Sequence, residues 1–292
     1  MINVSSVSQQ PSIIIRDIEL ISEMRDVETL QKDVWGCHDR DIVPLTILVA
    51  TRELGAILVG AFDGSSLIGF AYSFVGREEQ RMVHHSHMLA VRPNYRNFNL
   101  GYKLKLAQRD RALAQGITRM TWTFDPLQSL NAHFNFAKLG VIADTYKSNF
   151  YGEATSSFLH QIGTDRLWVT WALDSSHVNE RLQVSGQSRT SNLEGASIAC
   201  FVQVGPNNDP QRGQSSEVPG QSVVSIEIPA DINSLQRESP GLATRWREAT
   251  RWAFSTATAS GYVVNDFWGA SRNGQAVGVY LLSYGMKVND FV

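Results

Sequence analysis

Cysteine is scarce in this 292-residue chain: Cys37 and Cys200 are the only two, far apart in sequence. They make no C-x-x-C pair and no Cys/His spacing, so neither a disulfide framework nor a zinc module is expected. An excess of charge of one sign is also missing. The 26 Lys+Arg against 28 Asp+Glu leave a formal net charge of −2, which argues against a general nucleic-acid coat or a membrane-surface protein. No apolar run approaches the ~18 residues of a membrane span. The polar stretch 1–12 lacks the layout of a secretory signal. The expectation is a reduced, cytoplasmic protein with no nucleic-acid or membrane partner. What is present is a hydrophobic fraction of 43%, enough for a sizeable core, in a length that allows one large domain or two modest ones.

Residues 205–222 form the clearest break, because Val218 is their single aliphatic side chain. Such a segment buries too little surface to offset its ordering entropy and reads as a surface loop or linker. It belongs to an irregular stretch, 174–221, that separates residues 13–173 from residues 222–292. In the first part a strand is predicted at 13–16. A helix follows from the spacing of Leu20, Met24, Val27, Leu30 and Val34. A second helix is predicted at 44–54, and a hairpin over 57–62 and 67–75 around Asp63-Gly64. Next come a strand at 82–91, a helix at 100–115 ending before Gly116, and a strand at 117–124. A helix at 129–139 stopped by Gly140 and strands at 141–151 and 167–173 complete the part. The order β-α-α-β-β-β-α-β-α-β-β predicts an α/β fold with a mixed (α+β-like) sheet and helices on both faces.

The last part alternates Val224, Ile226 and Ile228 in a half-buried strand. Ser239-Pro240 opens a helix whose apolar face carries Leu242, Trp246, Ala249, Ala253 and Ala257. Strands at 262–268 and 276–283 flank Asn273-Gly274. This β-α-β-β unit either extends the first sheet or forms a separate half. Trp246 and Trp252 read as packing residues, and Arg245, Arg247 and Arg251 as a solvated face.

The chemistry is concentrated in residues 88–102, where a strand runs through a turn directly into a helix. Six Lys/Arg and one Asp lie between Arg92 and Arg111. A helix start leaves backbone N–H groups unpaired and carries partial positive charge. Beside Arg96, such a turn suits a pyrophosphate. Gly101 permits close approach to the backbone, and Asn99 tolerates the left-handed conformation. A solvated basic helix after a tight turn is the competing reading. Neither a P-loop nor a G-x-G-x-x-G fingerprint is present.

The run 89–102, with Arg96-x-x-Asn99-x-Gly101 after Val91-Arg92-Pro93, resembles the acyl-CoA-binding motif of the GNAT (GCN5-related N-acetyltransferase) superfamily. Asn99 stands where that motif has its first glycine. Residues 131–141, from Asn131 to Lys138-Leu139-Gly140-Val141, resemble the family's following helix. Residues 85–88 and 121–126 look like a poorly characterised branch of predicted acyltransferases with an extra C-terminal region. The resemblance covers about 13–173 and implies a GNAT acyl-CoA acyltransferase fold with a C-terminal β-α-β-β extension. It implies transfer of an acyl group from acetyl-CoA or another acyl-CoA to an amine, without a metal. Leu89, Ala90 and Val91 would line the thioester arm on a splayed strand. The amides of Asn97, Phe98, Asn99, Leu100, Gly101 and Tyr102, with Arg96, would hold the pyrophosphate, and Asn131 would contact CoA further on.

Many members of the family use a tyrosine as general acid at the position held here by Phe136, which has no exchangeable proton. Tyr146 and Tyr151 are the replacement candidates, Tyr151 as the acid and Tyr146 as a substrate contact, with an ordinary half-buried sheet tyrosine as the competing reading of each. Glu153 is a candidate base or amine anchor. His87 is the principal base candidate, since imidazole takes a proton near neutral pH. His85 shares its face by alternation. No further metal ligand stands near this pair in sequence, so no metal is expected. Asp125 suits either a substrate ammonium or a turn cap. The expected acceptor is a small amine such as an amino acid. A non-catalytic acyl-CoA sensor, a protein N-acetyltransferase and a scaffold without cofactor are the alternatives, and a homodimer is left open.

Overall fold

Helical and alternating apolar patterns are realised over most of the chain in a computed structural model that describes residues 12–152, 161–184, 198–213 and 220–291. The chain divides into two compact units, residues 1–116 and 117–292.

The first unit contains β1 (Ile13–Asp17), α1 (Ile21–Trp35), α2 (Leu45–Glu53), β2 (Ile57–Asp63), β3 (Ser66–Glu78), β4 (Arg81–Val91) and α3 (Leu100–Ala114). Its strands pair antiparallel in the order β1-β2-β3-β4. Side chains alternate across β3, and that alternation sorts the helices. Phe70 and Tyr72 face α1 and α2, in a cluster with Met24, Val27, Leu30 and Leu48. Gly69 and Ser73 face the other way. A Cβ on Gly69 would lie 3.4 Å from Leu104 of α3, so this glycine lets the helix close on the sheet. Each fully buried leucine in these layers contributes about 1.5–3 kcal/mol. The β3–β4 register slips by one residue. Tyr72 opposes Met88 but Ser73 opposes Ser86, which leaves His87 as the bulged residue.

The second unit contains β5 (Arg119–Phe124), α4 (Ser129–Ala132), β6 (Ile142–Lys147), β7 (Arg166–Ala172), α5 (Ser176–Gln183), β8 (Ala199–Val204), β9 (Pro210–Arg212), β10 (Val223–Pro229), α6 (Ile232–Glu238), α7 (Pro240–Ala259), β11 (Tyr262–Arg272) and β12 (Gln275–Tyr284). Its strand order is β5-β7-β6-β11-β12-β10-β8-β9. Strands β8 and β10 pair parallel. β11 meets β6 through Val264 and Ala143, so the C-terminal strands extend the sheet that β5, β7 and β6 begin.

Several elements differ from the sequence expectation. The strand expected at 141–151 stops at Lys147, because the chain there turns into a neck held by side chains. The stretch 174–221, expected to be irregular, contains α5, β8 and β9. The short α6 was not expected, although its cap is strong: Asn233 and Ser234 both donate backbone N–H bonds of 3.0 Å to Asp231 Oδ1. The helix expected at 129–139 begins as α4 and continues as a π-helical turn, His133–Leu139, ended by Gly140 at φ +72°. Arg181 presses against that glycine, 2.8 Å from where a Cβ would stand. Among the described residues no helix is long and apolar enough to cross a membrane.

Candidate functional site

The turn that leads into α3 in the first unit follows from backbone geometry. After β4, Arg92 is tied into the fold. Its amide donates to Ile68 O at 2.8 Å, its Nε to Leu67 O at 3.1 Å, and its Nη1 pairs with Asp33 at 2.7 Å. A 3-10 turn, Pro93–Phe98, follows. It is pinned by Tyr95, whose hydroxyl donates to Asp63 at 2.9 Å. Asn99 then takes φ +56°, ψ 29°, and α3 starts with no side chain capping it. An asparagine serves in this left-handed step where the family motif has glycine. Gly101 is not required by packing inside the unit, since a Cβ there would meet Leu89 Cδ2 at an ordinary 3.5 Å. Arg96, Asn97, Phe98 and Asn99 are exposed, Gly101 and Tyr102 half-buried, and Leu100 buried, leaving it only its backbone to offer. Of the six basic residues here, Arg92 and Arg111 are spent on Asp33 and Asp17 and Lys105 is buried. Arg96 makes no ion pair among the described residues.

On β4 the bulge resets which side chains share a face. Strict alternation would put His87 with Leu89. Instead Leu89 approaches Gly101 of α3, whereas His87 packs on Tyr72 and Phe74, with ring centroids 6.3 and 5.8 Å apart. His85 lies on the same side, 6.4 Å from His87. Burial, and then the neighbouring His87 and Lys105, push His85 down to about 4. Burial also holds His87 below the ordinary imidazole value. Both rings are thus neutral near pH 7, the form that accepts a proton. Ala90 and Val91 are buried in the β3–β4 ladder.

Behind the strand lies a polar layer that carried no sequence signal. His84, fully buried, meets Ser73 Oγ at 3.2 Å and Gln115 Oε1 at 2.8 Å. Lys105 donates to Ser86 Oγ at 2.7 Å, and Ser86 to Gln108 Oε1 at 2.9 Å. Burial drives the Lys105 amine well below its usual range. No group of three or more potential metal-ligating side chains occurs among the described residues.

In the second unit Tyr151 is 44% exposed. Its ring packs on Phe150 at 4.8 Å and beneath the Arg166 guanidinium at 5.1 Å, and its hydroxyl lies 3.4 Å from Thr123 Oγ1. Tyr146 is placed differently. Its hydroxyl donates to Asp165 at 2.5 Å and its ring stacks on Phe254 at 5.6 Å. Burial, followed by the Asp165 charge, raises its pKa, so the phenol stays protonated. Both oxygens of Asp125 are engaged: Oδ1 accepts from the Leu127 amide at 2.9 Å and Oδ2 from Arg247 Nη2 at 2.6 Å. Asn131 is exposed on α4. Phe136 is buried between Phe124 and Tyr280, 6.2 and 5.7 Å away. Glu153 lies outside the described residues. Arg247, expected on a solvated face, is 2% exposed. It is the largest departure from the sequence reading, and its ion pair with Asp125 is the reason.

Residues 22–141 match the acetyltransferase (GNAT) family. No curated protein matches the chain in sequence. Among solved structures, the ribosomal-protein-S18-alanine N-acetyltransferase from Escherichia coli is 13% identical, with 55% of this chain and 94% of that one covered and a TM-score of 0.44. The PaiA N-acetyltransferase from Thermoplasma acidophilum, in complex with coenzyme A, is 17% identical over 55% and 99% of the two chains, with a TM-score of 0.39. The likeness to the GNAT acetyltransferases is thus carried by residues 22–141, about two fifths of the chain.

Proposed function

We propose that the chain transfers an acyl group, acetyl in the simplest case, from CoA to the amine of a small molecule such as an amino acid. The observation that carries this reading is the start of α3. A left-handed Asn99 opens a helix with no side-chain cap, and a Cβ at Gly101 would make only an ordinary contact, with Leu89 Cδ2 at 3.5 Å. In that reading the amides of residues 97–102 take the pyrophosphate, Arg96 adds charge, and the backbone of Leu89, Ala90 and Val91 pairs with the pantetheine arm. Asn131 is assigned a further CoA contact. The cytoplasm is the setting we assign, supported by the two free cysteines.

The reaction joins an amine nitrogen to the thioester carbon and breaks the C–S bond. The amine gives up a proton and the leaving thiolate takes one. His87, neutral and on β4, is assigned as the base. Tyr151, half-exposed and hydroxyl-bearing, is assigned as the acid in place of Phe136. Asp125 and Tyr146 are assigned a smaller part at the acceptor, since their polar atoms are already engaged.

Calorimetry tests the donor half. Acetyl-CoA should bind the native chain, and Gly101→Val should weaken binding at least about a hundredfold by filling the approach to the backbone. Equal affinity in the variant would remove the turn from the site. Thiol release across a panel of small amines and N-terminal peptides tests the acceptor half. Turnover on peptides alone would replace the small-molecule acceptor with a protein amine.

A further inference from the structure

Helix α7 lies in the region that the family match does not reach. It carries Arg247 and Arg251 one turn apart, on one face. Arg247 Nη2 pairs with Asp125, and its Nε donates to Ile162 O at 3.2 Å. Arg251 grips Asp165 with Nε and Nη2, both at 2.8 Å, and its Nη2 also reaches Asn149 Oδ1 at 3.1 Å. Fully buried Asp165 accepts the Tyr146 hydroxyl and, at 2.9 Å, the Asn149 amide. Apart from Asp125, these partners fall at the two ends of the β6–β7 connection, Tyr146 and Asn149 on one side and Ile162 and Asp165 on the other.

Tyr151 sits directly inside this neck. Its amide donates to Thr164 Oγ1 at 3.2 Å, and that hydroxyl donates to Gly152 O at 2.7 Å. The Phe150 amide donates to Thr164 O at 3.1 Å. Buried ion pairs are a poor source of stability, because desolvating two ions offsets their attraction. Here the expense is greater still, since Arg247 Nη1 is buried with no acceptor among the described residues. What the cluster does achieve is geometric: it fixes the neck from which the tyrosine projects.

We propose that Arg251, through Asp165 and Asn149, is a positioning residue that aims the Tyr151 phenol, so that the C-terminal helix α7 governs the proton donor. The inference rests on the reading of Tyr151 as that donor.

The direct test places 3-fluorotyrosine at position 151 of the full chain and records its 19F spectrum. One narrow line is expected in the native chain. Broadening or splitting is expected in Arg251→Met, and an intermediate spectrum in Arg251→Lys, which keeps the charge without the fork. If Arg251→Met does not fold, Thr164→Val should disturb the line in the same way. An undisturbed line in either folded variant would overturn the proposal. Kinetics with acetyl-CoA and the best amine of the panel add a second arm. Arg251→Met should lower kcat about tenfold with KM for acetyl-CoA unchanged, and should have no further effect in a Tyr151→Phe background. Equal losses in both backgrounds would make Arg251 merely structural and sink the proposal. Full turnover by Tyr151→Phe alone would instead refute the proton-donor reading, with the 19F spectrum still deciding the positioning.

Discussion

The turn before α3 and the neck around Tyr151 solve the same problem, holding a few atoms still, by opposite means. The turn uses local backbone: a 3-10 segment, one left-handed asparagine and an uncapped helix within ten residues. The neck uses long-range charge, with Arg251 closing on Asp165 and Asn149, 86 and 102 residues upstream. Local devices tolerate change around them. A network of buried charges does not, because removing one partner strands the other.

That contrast sets the size of the expected effects. The largest belongs to the neck. Arg247→Met should destabilise the chain by about 3–5 kcal/mol, because it leaves Asp125 buried without its cation, as read by denaturant unfolding. A loss below about 1 kcal/mol would place the two regions on the same footing.

The next effect is a pH dependence in the first unit. His85 titrates at about 4 in the folded chain and near 6.5 when unfolded. Between those values the unfolded state binds the extra proton, so stability falls as pH drops from about 6.5 to about 4 and levels off below. The loss is at most about 3 kcal/mol. His85→Gln should flatten the profile over that window, and an unchanged slope would assign the dependence elsewhere.

The smallest effect concerns Lys105. Burial lowers the folded-state pKa of its amine well below the usual range, whereas the unfolded chain protonates it at any pH below about 10.4. The native protein should therefore gain stability as pH rises toward that value. Lys105→Met should be more stable at pH 7 by about 1 kcal/mol, measurable as a higher Tm. A lower Tm would show that the bond to Ser86 outweighs the cost of burial.

The same contrast explains what the sequence disclosed. The strand–turn–helix at 88–102 is legible because Pro93, Asn99 and Gly101 act through their own backbone preferences. The hairpin at Asp63-Gly64 and the stop at Gly140 are legible for the same reason. The bulge at His87 is not, because a one-residue slip depends on how β3 and β4 pack rather than on either strand's composition. Arg247 looked solvated because the 3.6-residue pattern marks it as polar, and its partner Asp125 lies 122 residues away. Helix α5 escaped notice for a related reason. It is eight residues long and mostly polar, and it is anchored by its Ser175 cap and by Arg181 pairing with Asp266 at 2.8 Å.

Amide hydrogen exchange with and without acetyl-CoA tests the assignment of the donor site most directly. Saturating ligand should slow exchange at residues 97–102 and along Leu89–Val91 while leaving strands β8 and β9 unchanged. Slowed exchange confined to other parts of the chain, or none at millimolar acetyl-CoA, would contradict it.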